Sequence, residues 1–232
     1  MNVIKITLLS FVTLVSTACQ SNNKNSSLKS EVKTEAKKIV EAPVKLSLQD
    51  LEKYETAYFA SGCFWCVEAI FESVKGVKEV ISGYSGGTEI NPTYEKVARG
   101  LTSHAEAVKV YYDPEEVTFT ALVQVFFGSH DPTSLNRQGP DRGTQYRSVA
   151  FYKDEKEKKI IEDYMAVLTD SKVYGRPIVT QVVAFDTFYD AEDYHQDYER
   201  NNPNSSYIRA VSIPRLNRFK KNFPAYLKEE AH

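Results

Sequence analysis

The chain is 232 residues long, 42% hydrophobic and 26% charged, which suits a globular protein with one sizeable core. Its 29 Lys and Arg are set against 31 Asp and Glu, a net charge of -2, so the basic excess of a nucleic-acid binder is excluded. The 15 Tyr and 12 Phe are enough to line a core or a pocket.

At the N-terminus a Lys at position 5, the apolar run "ITLLSFVTLV" and the small residues "STA" precede Cys19. The run is too short for a membrane-spanning helix and reads as a targeting segment. Small residues directly before a Cys resemble the bacterial lipoprotein processing signal. That implies removal of residues 1–18, lipid on Cys19, and a domain outside the cytoplasm anchored to a bacterial membrane; an ordinary cleaved signal is the alternative. Residues 19–55 are rich in Ser, Asn, Lys and Glu with no aromatic before Tyr54. Such a stretch buries too little apolar area to offset backbone ordering and is expected to be a flexible tether. One folded domain is expected over 56–232.

Within that domain a strand is predicted over 57–61, followed by Cys63, Cys66, Val67, Ile70, Phe71 and Val74 at helical spacing. Phe64 and Trp65 fall off this stripe, so two large aromatics on the outward side of the first turn need a further layer of protein or a ligand to cover them. A strand over 77–84, a loop "SGGTEINP" and a strand over 105–112 come next. The run "FTALVQVFFGSH" reads as a helix opened by Thr118. Residues 131–147 lack periodicity and form a connection long enough to be functional. A strand over 148–152, an amphipathic helix over 155–168, a strand over 177–185 and a short helix over 191–198 follow, and "IPRLNRFKKNF" closes the chain. Strands interleaved with helices, some connections too short for crossovers, give an α+β mixed sheet with packed helices.

The thiols of "GCFWC" admit three readings. Two small apolar residues in a core stripe is the bland one. A zinc site needs two further ligands, and His104, His130, His195 and His232 show no paired spacing. A reactive pair is favoured by position, because the unsatisfied N–H groups at a helix start stabilise a thiolate on Cys63 and lower its pKa. Glu106 shares a strand face with Val108, Val110 and Tyr112, where desolvation favours the neutral acid that a proton donor requires. A frayed strand end facing water fits Glu106 equally on residue grounds.

The stretches "SGCFWCVEAIF", "GYSGG", "PTYEKV", "SHAEAVKVYYDP", "FFGSHDPTSLNRQGPDRGTQYRS" and "AEDYHQDY" resemble, in order across about 57–226, the methionine sulfoxide reductase A family. The resemblance implies a ferredoxin-like fold with added elements and long functional loops, and reduction of the S epimer of methionine sulfoxide, free or in proteins. It makes Cys63 the nucleophile, Glu106 the proton donor, Tyr94 and Tyr146 hydrogen-bond donors to the sulfoxide oxygen, and Asp141 an aid in holding substrate or the site water. Phe64 and Trp65 become the pocket for the substrate S-methyl group. Many relatives carry recycling cysteines near the C-terminus, whereas "SSYIRAVSIPRLNRF" has none. Under the resemblance this leaves Cys66 to resolve oxidised Cys63, and i, i+3 in a helical turn, roughly 5 to 6 Å apart at Cα, suits a disulfide. A thioredoxin-like protein is the implied reductant, with no metal, no organic cofactor and a monomer expected. A general thiol–disulfide oxidoreductase, or a binding lipoprotein with a structural CxxC, are the alternatives.

Overall fold

The structure is a computed structural model that describes residues 46–229; the expected signal segment, Cys19 and most of the expected tether lie outside them. Its first element, α1 (Leu48–Leu51), is opened by Ser47, whose hydroxyl accepts the Asp50 N–H, and it buries Leu51. Order therefore begins before residue 56, because this leucine gives the end of an otherwise polar stretch an apolar anchor.

Eight strands and six further helices follow. β1 (Glu55–Ser61) leads into α2 (Phe64–Glu72), β2 (Val77–Ser85), α3 (Tyr94–Ala98), β3 (Ala105–Tyr112) and α4 (Phe119–Gly128). β4 (Arg137–Gln138) and β5 (Asp141–Arg142) make a small hairpin before β6 (Ser148–Tyr152), α5 (Glu155–Asp170), β7 (Gln181–Ala184) and β8 (Phe188–Asp190). α6 (Tyr198–Asn201) and α7 (Ile213–Asn222) end the series.

The main sheet has the order β7-β6-β1-β3-β2-β8, antiparallel throughout except for the parallel β6–β7 edge. Its four central strands with α2 and α4 form the β-α-β-β-α-β unit of ferredoxin-like folds, extended by one strand at each edge. Strand alternation assigns the two faces. Ala57 and Phe59 of β1 and Val108 and Val110 of β3 join the helix-covered core, while Tyr58, Ala60, Ala105 and Ala107 pack on the other face with Val149 and Phe151. Each fully buried large side chain of the first group, such as Phe59, contributes roughly 1.5–3 kcal/mol of burial free energy.

Thr118 caps α4 as its sequence suggests, its hydroxyl accepting the Ala121 N–H at 3.2 Å. Three predicted elements differ. The strand expected over 177–185 pairs with the sheet only at 181–184, because Val179 N–H is taken by Pro132 O in the preceding loop. The helix expected over 191–198 is a 3₁₀ turn (Asp193–His195) and then α6, broken at Asp197, whose φ of 54° is left-handed. The break follows from Gln196, whose amide bonds Ser82 N–H and C=O and so occupies edge positions of β2 that a strand would take. The aperiodic 131–147 stretch contains the β4–β5 hairpin and a 3₁₀ turn (Thr144–Tyr146).

Candidate active site

Gly62 joins β1 to α2 with φ 92°, and a Cβ there would lie 2.6 Å from Gln138 Cβ. Only glycine makes this turn without strain. It delivers Cys63 to the N-cap of α2 and Cys66 to its first turn, both free and buried, at 6% and 2% exposure.

Glu106 stands on β3 opposite the start of α2, at 2% exposure, and its Oε2 accepts the Phe64 N–H at 3.1 Å. Burial lifts this carboxyl to about 8 against the pull of that one donor, with the charges of Asp141 and Cys66 adding to the rise. It is therefore neutral at pH 7, and the strand-face alignment read from the sequence holds.

The two thiols are shifted in opposite directions. Burial pushes Cys63 well above the usual thiol range, and its hydrogen bond to Cys66 adds to this; that same bond, helped by the Arg215 guanidinium, brings Cys66 down to about 6 against burial. The pull of Cys63 and Arg215 thus favours ionisation of Cys66 over that of Cys63. Of the helix-start N–H groups expected to stabilise a Cys63 thiolate, that of Phe64 is taken by Glu106.

Tyr94 opens α3, where Glu192 Oε1 accepts its backbone N–H at 3.0 Å. Burial, then the charges of Glu106 and Cys63, raise its phenol to about 12. Tyr146 ends the 3₁₀ turn after β5, and burial followed by Glu106, Asp141 and Cys63 raises it too. Both hydroxyls stay protonated donors beside the carboxyl and the thiol. Asp141 accepts from Tyr207 Oη at 2.7 Å, and burial raises it against that bond.

Phe64 is fully buried, not outward, because the 192–207 segment supplies the missing layer. His195 packs on it at 5.1 Å between ring centroids, and Trp65 stacks on Tyr198 at 3.7 Å. The fold thus gathers Cys63, Cys66, Phe64, Trp65, Glu106, Tyr94, Tyr146 and Asp141 around the start of α2.

Three further residues belong here that the sequence did not single out. Tyr207 Oη lies 3.8 Å from Cys66 Sγ while holding Asp141. Arg215, buried, donates to Ser61 O and Ser129 O and so supports the strand end under Gly62. Glu192 holds Tyr94 and also accepts from Tyr84 Oη at 2.8 Å. A carboxylate two places before Tyr194 in a polar run carries no periodic signal. Among the described residues, the group spaced to hold a metal ion is Glu68, Glu72 and Asp197, which includes neither thiol, and Arg200 already pairs with two of its members.

The model of the family described as peptide methionine sulfoxide reductase matches residues 55–227. The chain belongs to the methionine sulfoxide reductase A family. It is 45% identical over 179 residues to the peptide methionine sulfoxide reductase MsrA of Polynucleobacter asymbioticus, covering 77% of this chain and 94% of that one. MsrA 1 of Rhodopirellula baltica is 48% identical, covering 75% and 90%. Among solved structures, methionine sulfoxide reductase A of Corynebacterium diphtheriae is similar at TM-score 0.58 and 38% identity, over 65% of this chain and 76% of that one. Reduced Mxr1 of Saccharomyces cerevisiae is similar at TM-score 0.60 and 33% identity, over 66% and 88%. This reductase therefore acts on methionine sulfoxide, and its mixed α+β sheet is that of its relatives.

Proposed function

We propose that this reductase acts on the S epimer of methionine sulfoxide through a Cys63 sulfenic acid and a Cys63–Cys66 disulfide. The observation that carries the reading is a neutral carboxyl, Glu106, bonded to the N–H next to Cys63 at the mouth of a CxxC pair.

Cys63 passes the proton it shares with Cys66 across and attacks the sulfoxide sulfur, while Glu106 protonates the oxygen under Tyr94 and Tyr146. The attack joins the two sulfurs; this S–S bond and the substrate S–O bond then break as the hydroxyl passes to the Cys63 sulfur, giving methionine and a sulfenic acid. The Cys66 thiol condenses with the sulfenic acid and releases water, forming the disulfide. Phe64 and Trp65 hold the S-methyl group, and Asp141, held by Tyr207, helps to seat the substrate. A thioredoxin-like dithiol then reduces the disulfide by thiol–disulfide exchange. No metal or organic cofactor takes part in this scheme.

The "STAC" signal supports placement outside the cytoplasm on a lipid-bearing Cys19; fatty-acid label that Cys19→Ala abolishes tests it. The reaction itself is tested with resolved sulfoxide epimers and a chemical dithiol. Turnover of S alone is expected; equal turnover of R, or reduction of unrelated disulfides at the same rate, overturns the assignment.

A further inference from the structure

Trp65 is the chain's one tryptophan, and its indole has a fixed orientation. One face stacks on Tyr198 with 8° between the planes, and its Nε1–H donates to His195 Nδ1 at 3.2 Å. An indole N–H can only donate, so His195 Nδ1 must present a lone pair and the imidazole proton must sit on Nε2. His195 is 1% exposed, caged by Phe64, Tyr94, Tyr194 and Trp65 with ring centroids 4.1–5.7 Å away.

Its Nε2 has no hydrogen-bond partner, and the nearest charge, Glu192 Oε2, is 4.0 Å off. A buried donor left unpaired costs about 1–3 kcal/mol. A histidine kept at that cost, with its other nitrogen aimed at an active-site ring, does something that an apolar filler cannot. Burial lowers its pKa against the opposing Glu192 charge, which keeps the ring neutral and the lone pair free. The turn that carries His195 also carries Glu192, which holds the Tyr94 backbone and Tyr84 Oη. One short segment therefore sets both the ring at the pocket wall and a tyrosine on the oxygen side.

We propose that His195 is a positioning residue whose Nδ1 lone pair locks the Trp65 indole in the orientation that walls the substrate's S-methyl pocket. The inference rests on the reading of Trp65 as that wall. Bound sulfoxide meets a preset surface, so His195 acts on substrate binding rather than on proton transfer.

Two isosteric variants separate acceptor from filler. In His195→Asn the amide oxygen can take the place of Nδ1, whereas His195→Gln reaches the Nε2 position. His195→Gln should raise KM for methionine sulfoxide about three- to tenfold, the worth of one hydrogen bond, with kcat nearly unchanged. It should also loosen the indole, seen as faster fluorescence anisotropy decay, while His195→Asn retains wild-type KM and anisotropy. A folded His195→Gln enzyme with wild-type KM and anisotropy, or an Asn variant as impaired as Gln, overturns the proposal. Nitrogen-15 NMR of the wild type decides it without any variant: a proton on Nε2 and a scalar coupling from the indole N–H to Nδ1 are expected, and a proton on Nδ1 refutes it. If Trp65→Ala leaves KM unchanged, the pocket reading fails, and that result is distinct from failure of the histidine variants alone.

Discussion

At the scale of residues, Glu106 is governed by where its proton resides. Its carboxyl loses the proton at about 8, so the donor is present below that value and lost above it. Sulfoxide reduction in single turnover should fall as pH rises through about 8. Glu106→Gln should cost about 10² to 10⁴ in rate and remove that limb, while alkylation of the thiols persists. Near wild-type single turnover by the variant would remove Glu106 from the chemistry. Cys66 has a separate job. Reduced Cys66→Ser enzyme without reductant should release about one methionine per site and leave a trappable sulfenic acid, whereas wild type should show a Cys63–Cys66 disulfide by peptide mass mapping. Sustained turnover of the variant at full rate with a thioredoxin-type protein would mean that Cys66 is only a core residue. For Glu106, strand alternation left a buried face and a frayed, water-facing end equally open, and the family resemblance decided between them. Helix-start logic took no account of a carboxyl from another strand accepting one of those N–H groups, that of Phe64.

At the scale of elements, the regular parts of the chain could be read because burial imposes a period on them. β1, β2, β3, β6, α4 and α5 fall within a few residues of their predicted spans. What escaped was set by side chains replacing backbone partners: Gln196 bonding the edge of β2, and Glu68 accepting the Asp197 N–H at 2.5 Å, which holds the left-handed break. Tyr207 and Arg215 reach the site from a segment whose neighbours in sequence are not its neighbours in space. The β1–α2 turn is the element most exposed to a single change. Gly62→Ala places a methyl group against Gln138 at φ 92°, so unfolding free energy should drop by at least about 1 kcal/mol and activity should fall further, because Cys63 follows the turn. Gly175→Ala, where no atom lies within 4 Å and φ is not positive, is the control that should leave activity intact. Equal behaviour of the two variants in denaturant melts and in turnover would show that the turn tolerates a side chain.

At the scale of the whole molecule, three buried carboxyls dominate the pH response. Burial raises Glu68 to about 8, Glu72 to about 7 and Glu106 to about 8, from an ordinary value of 4.5. Each holds in the folded state a proton that the unfolded chain has already released, so stability falls as pH rises through these folded values. Cys66, lowered to about 6, opposes one of the three over the same window. The melting temperature should therefore decline between about pH 6.5 and 8, and Glu68→Gln should flatten the decline by up to about 1.4 kcal/mol per pH unit, one group's share. A wild-type curve flat or rising across that window would mean that these carboxyls are ionised in the fold.

The far end of the chain adds a consequence for traffic through the site. Residues 226–228 are sewn to the exit of α2: Lys75 N–H donates to Tyr226 O, Lys228 N–H donates to Ser73 O, and Val74 pairs with Leu227. The helix that follows Cys63 and carries Cys66 is thus held at its two ends, by the Gly62 turn and by this stitch. In the proposed cycle a protein reductant therefore comes to sulfurs that are both buried, at the place where the sulfoxide also binds. Two visitors sharing one site alternate there, so excess sulfoxide should slow turnover with a bulky protein reductant more than turnover with a small dithiol.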